Sequence, residues 1–224
     1  MYNETLNNLF DKNVTCPVCS STFKTKVVKS KSARIVSKDS DFFIRYSPKI
    51  NPYFYDVWIC NSCGYSALKS DFDEIRTYRK ELVMSNITPK WQARVYPDIL
   101  DEKLAIERYK IALLNAILTD APESTKAMIS LKIAWMFRLL GNEAQENAFL
   151  GQALNAFTEA YTKEIFPIYG LQRDSMMYLL GELNRRMGNY DEALVWFSKT
   201  IVNTNSSYRV KELARMGKES IKNM

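Results

Sequence analysis

Two C-x2-C pairs constrain the fold of this chain more than any other feature. Each pair sets two sulfur atoms on one tight turn, at the spacing that a tetrahedral metal accepts. Residues 20–59 separate the pairs, a longer gap than the usual ~15–20 residues, so this segment must form hairpins that bring the two turns together. The pattern predicts a single site with four thiolate ligands, which are Cys16, Cys19, Cys60 and Cys63.

Zinc is the expected metal, with one ion per chain. Four thiolates fill a tetrahedral shell and leave no position for water or substrate, so the expected role of the ion is structural. Iron accepts the same four ligands, and the sequence does not distinguish it from zinc. Gly64 follows the second pair, where such a turn closes with a positive φ, and Ser20 occupies the equivalent position after the first pair.

Two other cysteine chemistries fit the pattern less well. The N-terminal residues have neither the basic segment nor the apolar segment of an export signal, which indicates a cytoplasmic protein. A reducing compartment keeps thiols reduced, so two disulfides are disfavoured. A C-x2-C redox centre needs a strand–motif–helix context like that of thioredoxin, and two motifs on separate hairpins do not match it.

The composition argues against several classes of enzyme. The chain has no histidine, which rules out a Ser-His-Asp triad, a Cys-His dyad and a zinc enzyme with histidine ligands. It also lacks a glycine-rich phosphate loop, a dinucleotide fingerprint and a nucleophile elbow. The acidic groups at 39–41 and 71–74 have the composition of a turn and of a helix start. We therefore expect no enzyme activity and no small-molecule substrate.

The chain also lacks the ~18–20 consecutive apolar residues of a membrane span.

The character of the sequence changes near residue 70 and indicates an α+β protein. Short β-branched and aromatic segments before this point predict strands, whereas apolar residues after it recur at helical spacing. We expect a small β-rich, zinc-ribbon-like head at residues 1–70, a connecting helix and linker at 71–100, and an all-α domain at 101–224. Asp71 and Glu74 resemble a capping box that starts the connecting helix. The predicted strands are Thr22–Val28, Ala33–Val36, Phe42–Tyr46 and Tyr53–Ile59.

The helical part resembles an array of tetratricopeptide-like hairpins. In its clearest pair, Gly181 and Ala193 stand where small residues let two helices approach, and Gly188 stands at the turn between them. Phe197 is expected to fill the remaining gap between the helices. The two Gly-Asn turns lie further apart than the ~34 residues of a regular repeat, so we expect irregular hairpins, with a generic helical bundle as the alternative.

Most of the net charge of +6 lies in the head. Six basic residues between positions 24 and 38 occur there without an acidic one, and aromatic residues follow them. A basic ribbon beside aromatic faces can track a phosphate backbone and stack bases. Lysines that alternate with valines also keep one face of a half-buried hairpin in water, and positive charge offsets that of a thiolate-bound metal. The predicted nucleic-acid contacts are Lys24, Lys26, Lys29, Lys31, Arg34 and Lys38.

The head motif as a whole resembles an uncharacterised bacterial family, a catalogued domain of unknown function. That family joins a zinc-ribbon-like head to a tetratricopeptide-like helical tail. The resemblance implies a cytoplasmic bacterial protein and metal binding by the four cysteines, and it implies no activity. It is carried by Cys16–Cys19, Phe23–Lys26, Arg34, Asp39–Phe42, Asn51-Pro52 with Tyr55, Val57–Cys60, Cys63–Tyr65 and Ser70–Phe72.

Together these observations predict a non-enzymatic, zinc-binding adaptor. The helical tail is expected to hold a protein partner on its concave face, because stacked hairpins present long curved surfaces. Asn184 and Arg185, on the first helix of the clearest hairpin, are the predicted partner contacts. The alternative function is a nucleic-acid-binding regulator that uses the basic residues of the head.

Overall fold

A computed structural model describes residues 5–223 and confirms an α+β fold. Three antiparallel sheets of two strands each lie in the N-terminal third of the described chain, and helices make up the rest. The strands are β1 (Leu9–Thr15), β2 (Thr22–Val28), β3 (Ile35–Lys38), β4 (Ile44–Tyr46), β5 (Val57–Ile59) and β6 (Ser66–Leu68). The helices are α1 (Thr77–Asn86), α2 (Glu102–Leu118), α3 (Glu123–Leu139), α4 (Glu143–Lys163), α5 (Arg173–Arg186), α6 (Tyr190–Val202) and α7 (Tyr208–Lys222).

Each sheet is a hairpin of consecutive strands. The β1–β2 register runs from Leu9 opposite Val28 to Thr15 opposite Thr22, so the loop 16–21 closes the hairpin. In the same way, the loop 60–65 closes the β5–β6 hairpin. The two cysteine pairs therefore lie in the connections of two separate hairpins, as the long gap between them requires.

The prediction of one continuous strand from Tyr53 to Ile59 is wrong in its first half. Residues Pro52–Tyr55 form a short 3-10 helix, and only Val57–Ile59 forms a strand. The reason lies in the two preceding residues. The side chain of Asn51 accepts a hydrogen bond from the Tyr53 backbone N–H, and Pro52 has the φ of a first helical turn.

The predicted capping box at Asp71 is also wrong, because the first helix begins only at Thr77. The carboxylate of Asp71 instead accepts hydrogen bonds from the hydroxyls of Ser70 and Tyr169. Tyr169 lies in the loop between α4 and α5. A long-range contact therefore uses the side chain that the local pattern assigned to a helix cap.

The hairpin of α5 and α6 packs as its tetratricopeptide-like pattern predicts. A Cβ atom on Gly181 would lie 2.6 Å from the ring of Phe197, so only glycine permits this approach of α5 to α6. Gly217 of α7 approaches the same ring from another helix, with a corresponding distance of 2.5 Å. Gly188 turns the chain between α5 and α6 with a φ of +77°. Phe197 is fully buried between these helices.

The head and the helices share one hydrophobic core. Val57 and Leu68, from the β5–β6 hairpin, are buried in the same cluster as Tyr109 of α2. Phe43 follows the β3–β4 turn and stacks on Trp135 of α3, with ring centroids 5.2 Å apart. Apolar packing thus fixes the β5–β6 hairpin and the β3–β4 turn against the helices.

Candidate metal centre

The first cysteine turn is a hydrogen-bonded knuckle. The Cys16 N–H donates to the Ser21 carbonyl at 2.9 Å, and the Ser20 N–H donates to the Cys16 carbonyl at 2.9 Å. Ser20 has a φ of +62°, which confirms the left-handed conformation expected at this position. The turn directs two sulfur atoms, those of Cys16 and Cys19, toward one side.

The second cysteine turn repeats this pattern. The Cys60 N–H donates to the Tyr65 carbonyl at 2.9 Å, and the Gly64 N–H donates to the Cys60 carbonyl at 2.8 Å. Gly64 has a φ of +80°. A Cβ atom on this glycine would also lie 2.7 Å from the ring of Trp91. Glycine is therefore required twice at position 64, by the backbone conformation and by the packing of Trp91.

The two knuckles bring the four sulfur atoms together. The Cys16–Cys63 distance between Sγ atoms is 3.7 Å and the Cys19–Cys60 distance is 3.6 Å. All four Sγ atoms lie within 4.8 Å of one another. A tetrahedron of sulfurs at the ~2.3 Å of a zinc–sulfur bond has edges of ~3.8 Å. A disulfide would need ~2.05 Å, so these are free thiols, and their arrangement could hold one metal ion.

Nearby donors fit a negatively charged sulfur cluster. The Ser21 hydroxyl lies 3.0 Å from the sulfur of Cys19 and 3.2 Å from that of Cys60. Backbone N–H groups of Val18 and Cys19 donate to the sulfur of Cys16. Because hydrogen bonds favour the ionised form of a thiol, these contacts match the deprotonated state that metal ligation needs.

The ionisation of the cluster without a cation is uneven. A hydrogen bond from Cys63 lowers the pKa of the Cys16 thiol to about 5. The same hydrogen bond, together with burial, raises the pKa of Cys63, and burial raises that of Cys60. Sulfur atoms this close repel one another as thiolates, so four thiolates require a bound cation.

The centre is enclosed by apolar side chains and fixed to the linker. Cys16, Cys60 and Cys63 are buried among Trp58 and Phe72, and α1 covers the cluster with Val83. The linker after α1 holds the second knuckle through polar contacts as well. The Thr88 hydroxyl donates to the Cys63 carbonyl at 2.9 Å, and the Trp91 indole donates to the Asn61 carbonyl at 2.9 Å.

The structure distributes the predicted nucleic-acid contacts over several environments. Lys26 lies 3.0 Å from a carboxylate oxygen of Asp11 and 3.3 Å from one of Asp98. Lys29 donates to the Asn7 carbonyl at 2.7 Å. Lys38 lies over the ring of Phe42, with its ammonium 4.5 Å from the ring centroid. Lys24, Lys31 and Arg34 are exposed.

Three aromatic residues that the sequence placed beside this basic ribbon are buried in the core. Phe43, Tyr55 and Trp58 are at most 5% exposed. Phe42 is partly buried and packs on Tyr178 of α5, with ring centroids 5.5 Å apart. Stacking of bases needs exposed aromatic faces, and these four rings do not provide them.

The two predicted partner contacts have internal hydrogen bonds. Asn184 is 6% exposed, and its amide donates to the Leu180 carbonyl at 2.8 Å. The Arg185 guanidinium binds both carboxylate oxygens of Glu182, each at 2.8 Å. Binding of a partner by Asn184 and Arg185 stays a prediction. Burial makes Asn184 the weaker of the two candidates.

An ionic junction that no sequence motif predicts joins the head to the helices. Arg138 of α3 donates to Asp39 at 2.9 Å and to Asp41 at 2.6 Å, both in the β3–β4 turn, and to Glu146 of α4 at 2.7 Å. Asp41 is fully buried and also accepts from the Trp135 indole at 3.1 Å. The available signal was Arg138 itself, a charged residue next to Phe137 within an apolar helical stripe.

The fold and site define a class: a zinc-ribbon-like head with four clustered cysteines joined to an array of helical hairpins. The chain belongs to the bacterial family DUF2225, described as "Uncharacterized protein conserved in bacteria", whose model matches residues 9–221. It is similar to an uncharacterized protein of Borreliella burgdorferi, with 22% identity over 245 residues that cover 90% of this chain and 81% of the relative. No solved structure matches the chain significantly. None of the helices within residues 5–223 has both the length and the apolar character of a membrane span.

Proposed function

We propose that the protein is a cytoplasmic, non-enzymatic adaptor that contains one structural zinc ion and binds a protein partner through its helices. The observation that carries the metal assignment is the clustering of four sulfur atoms within 4.8 Å of one another, with Cys16, Cys60 and Cys63 buried in the apolar core. Four protein ligands complete a tetrahedral shell, so zinc bound there is closed to water and substrate. Cys16, Cys19, Cys60 and Cys63 would hold the ion, and its binding energy would stabilise the head.

The interaction surface that we favour lies on α6. Leu194, Val195, Ser198, Lys199 and Val202 share one side of this helix and line a shallow, mainly apolar depression of about 430 Å³. Val195 is 44% exposed and Val202 is 76% exposed. This exposed apolar face of α6 supports an interaction surface there. Lys199 beside the patch favours a partner helix with an apolar face and an acidic flank.

The experiment compares three forms of the zinc-loaded full chain. The double variant Val195→Glu/Val202→Glu places two charges in the α6 depression. Ile165→Glu is the matched control, since Ile165 is 92% exposed in the loop after α4. Each tagged protein is incubated with native lysate in two halves, one treated with nuclease and one untreated. The protein bound in the treated half is identified, purified and recombined with each form. We expect a near-stoichiometric complex with the wild type and the control, and its loss with the double variant.

Two results would contradict this proposal. Equal binding of the purified partner by the double variant would remove α6 from the interface. The absence of a stoichiometric protein partner, with recovery only of nuclease-sensitive material, would favour the nucleic-acid alternative. That alternative has weaker geometric support, because Lys26 is paired with Asp11 and Asp98 and three of the aromatic residues expected to stack on bases, Phe43, Tyr55 and Trp58, are buried.

A further inference from the structure

Two buried arginines in this protein have opposite surroundings. Arg138 has its guanidinium within 2.9 Å of oxygens from Asp39, Asp41 and Glu146. Burial alone would lower the pKa of Arg138, but its hydrogen bonds with Asp41 and Glu146 raise it. Arg108 of α2 is only 8% exposed, and it forms no ion pair with any carboxylate of residues 5–223.

The contacts of Arg108 leave most of its hydrogen-bonding capacity unused. A guanidinium has five N–H donors, and one of them donates to the Val57 carbonyl at 2.6 Å. Nε is buried without a partner within the described chain. The group also lies over the Tyr96 ring, 4.8 Å from its centroid. A buried charge without a counter-ion is costly, and burial lowers the pKa of Arg108 accordingly.

Arg108 lines a cavity of about 290 Å³ between the β1–β2 hairpin, the linker and α2. Three further cations, Lys24, Lys26 and Arg94, line the same cavity. Its two acidic residues, Asp11 and Asp98, both pair with Lys26. Liquid water occupies ~30 Å³ per molecule, so the cavity has room for an oxyanion with several waters or for a small organic phosphate.

We propose that this cavity, which we call the Arg108 cavity, is a binding site for a phosphate group, either inorganic phosphate or a small phosphate monoester. Arg108 supplies the planar donor fork that matches phosphate oxygens, and Lys24 supplies a point charge at the exposed side. Lys26 pairs with Asp11 and Asp98, and Arg94 pairs with Glu107. Arg108 and Lys24 are therefore the lining cations without an ion pair in the described part of the chain, and two such cations favour a doubly charged ligand over a singly charged carboxylate. The inference does not depend on the adaptor function, and none of the residues that line the cavity is a cysteine. The β1–β2 and β5–β6 hairpins do line it, so the test uses zinc-loaded protein.

The test measures binding of inorganic phosphate to the zinc-loaded full chain by calorimetry at constant ionic strength, with acetate and glycerol phosphate as further probes. Variants are Arg108→Met, Arg108→Lys and Lys24→Met. Arg215→Met is the matched control, because Arg215 is exposed on α7 and pairs with Glu212. Losing hydrogen bonds to a charged group costs ~1.5–3 kcal/mol, so Arg108→Met should weaken phosphate binding about 10- to 100-fold.

Arg108→Lys should weaken binding less than Arg108→Met, and Arg215→Met should leave it unchanged. Tighter binding of glycerol phosphate than of phosphate would identify an organic monoester as the preferred source of the group. A second measurement separates loss of phosphate binding from a folding defect in the Arg108 variants. Phosphate should raise the unfolding temperature of the wild type, and Lys24→Met, a substitution at an exposed residue, should reduce that rise. Equal phosphate affinity in the wild type and Arg108→Met, or equal affinity for acetate and phosphate, would overturn the proposal.

Discussion

The head and the helices of this protein are stabilised in different ways. The β3 strand has no buried residue, and β1 buries only Leu9 and Val14. By contrast, α3 buries residues on most of its surface, from Ser124 to Phe137. Isolated two-stranded hairpins are marginally stable in water. The helices and the buried β5–β6 hairpin can therefore rely on apolar packing, whereas the largely exposed β1–β2 and β3–β4 hairpins need further interactions to fix them.

Two such interactions are visible in the head. The sulfur cluster joins the β1–β2 hairpin to the β5–β6 hairpin. The buried carboxylate of Asp41 joins the β3–β4 turn to Arg138 and Trp135 of α3. Local damage should therefore have regional consequences. Loss of metal should affect the head first, and loss of an internal helix contact should affect the array.

Removal of the metal should have the largest effect. Zinc contributes ~10–16 kcal/mol to the folding of small zinc modules, so Cys60→Ser should unfold the two cysteine hairpins and lower the bound metal below one ion per chain. The array should retain most of its helical circular dichroism. Metal analysis and regional hydrogen exchange measure the two effects, with Ser62→Ala as the control on the same exposed turn. Undiminished folding of the metal-free chain after chelation would contradict the structural role of the ion.

Breaking the ionic junction should have the next largest effect. Asp41→Ala leaves the buried Arg138 with one fewer carboxylate and the Trp135 indole without its acceptor. Removing one partner of a buried pair costs ~3–5 kcal/mol, which urea denaturation measures. Asp73→Asn is the control, because Asp73 is exposed and surface changes usually stay within ~0.5 kcal/mol. Equal stabilities of the two variants would show that the junction contributes nothing.

Two glycine substitutions in the array should have effects of opposite sign. The added Cβ of Gly181→Ala would lie 2.6 Å from Phe197, so overpacking should cost ~1–3 kcal/mol. The Cβ of Gly151→Ala would meet only the flexible end of Met187, at 3.7 Å. Alanine is better than glycine inside a helix by ~0.5–1 kcal/mol, so this variant should gain stability. Thermal unfolding of each variant and of the wild type measures whether the substitution lowers or raises stability.

These contacts show which parts of the structure the sequence predicts. The sulfur cluster and the Gly181–Phe197 packing were predictable, because a short motif with fixed spacing encodes each of them. The junction of Asp41 with Arg138 was not, since the residues lie 97 positions apart and nothing local to either one specifies the other. The capping box at Asp71 failed for the same reason. Its carboxylate binds Tyr169, 98 positions away, and this contact overrides a local preference.

The smallest predicted effect comes from a substitution at Ser20 in the first knuckle, which is compared with one at Gly64 in the second. Ser20 adopts a φ of +62°, which costs a residue with a Cβ atom ~1 kcal/mol relative to glycine. Ser20→Gly removes this cost but increases the entropy of the unfolded chain, so the gain should be below ~1 kcal/mol, or up to ~2–4 °C in the unfolding midpoint. Gly64→Ala should instead lower the midpoint clearly, because its Cβ would lie 2.7 Å from Trp91. Both variants are measured as zinc-loaded protein. If Ser20→Gly raises the unfolding midpoint and Gly64→Ala lowers it, the knuckles share one backbone conformation and differ in what packs against them. Destabilisation by Ser20→Gly would instead mean that the Ser20 side chain itself supports the site.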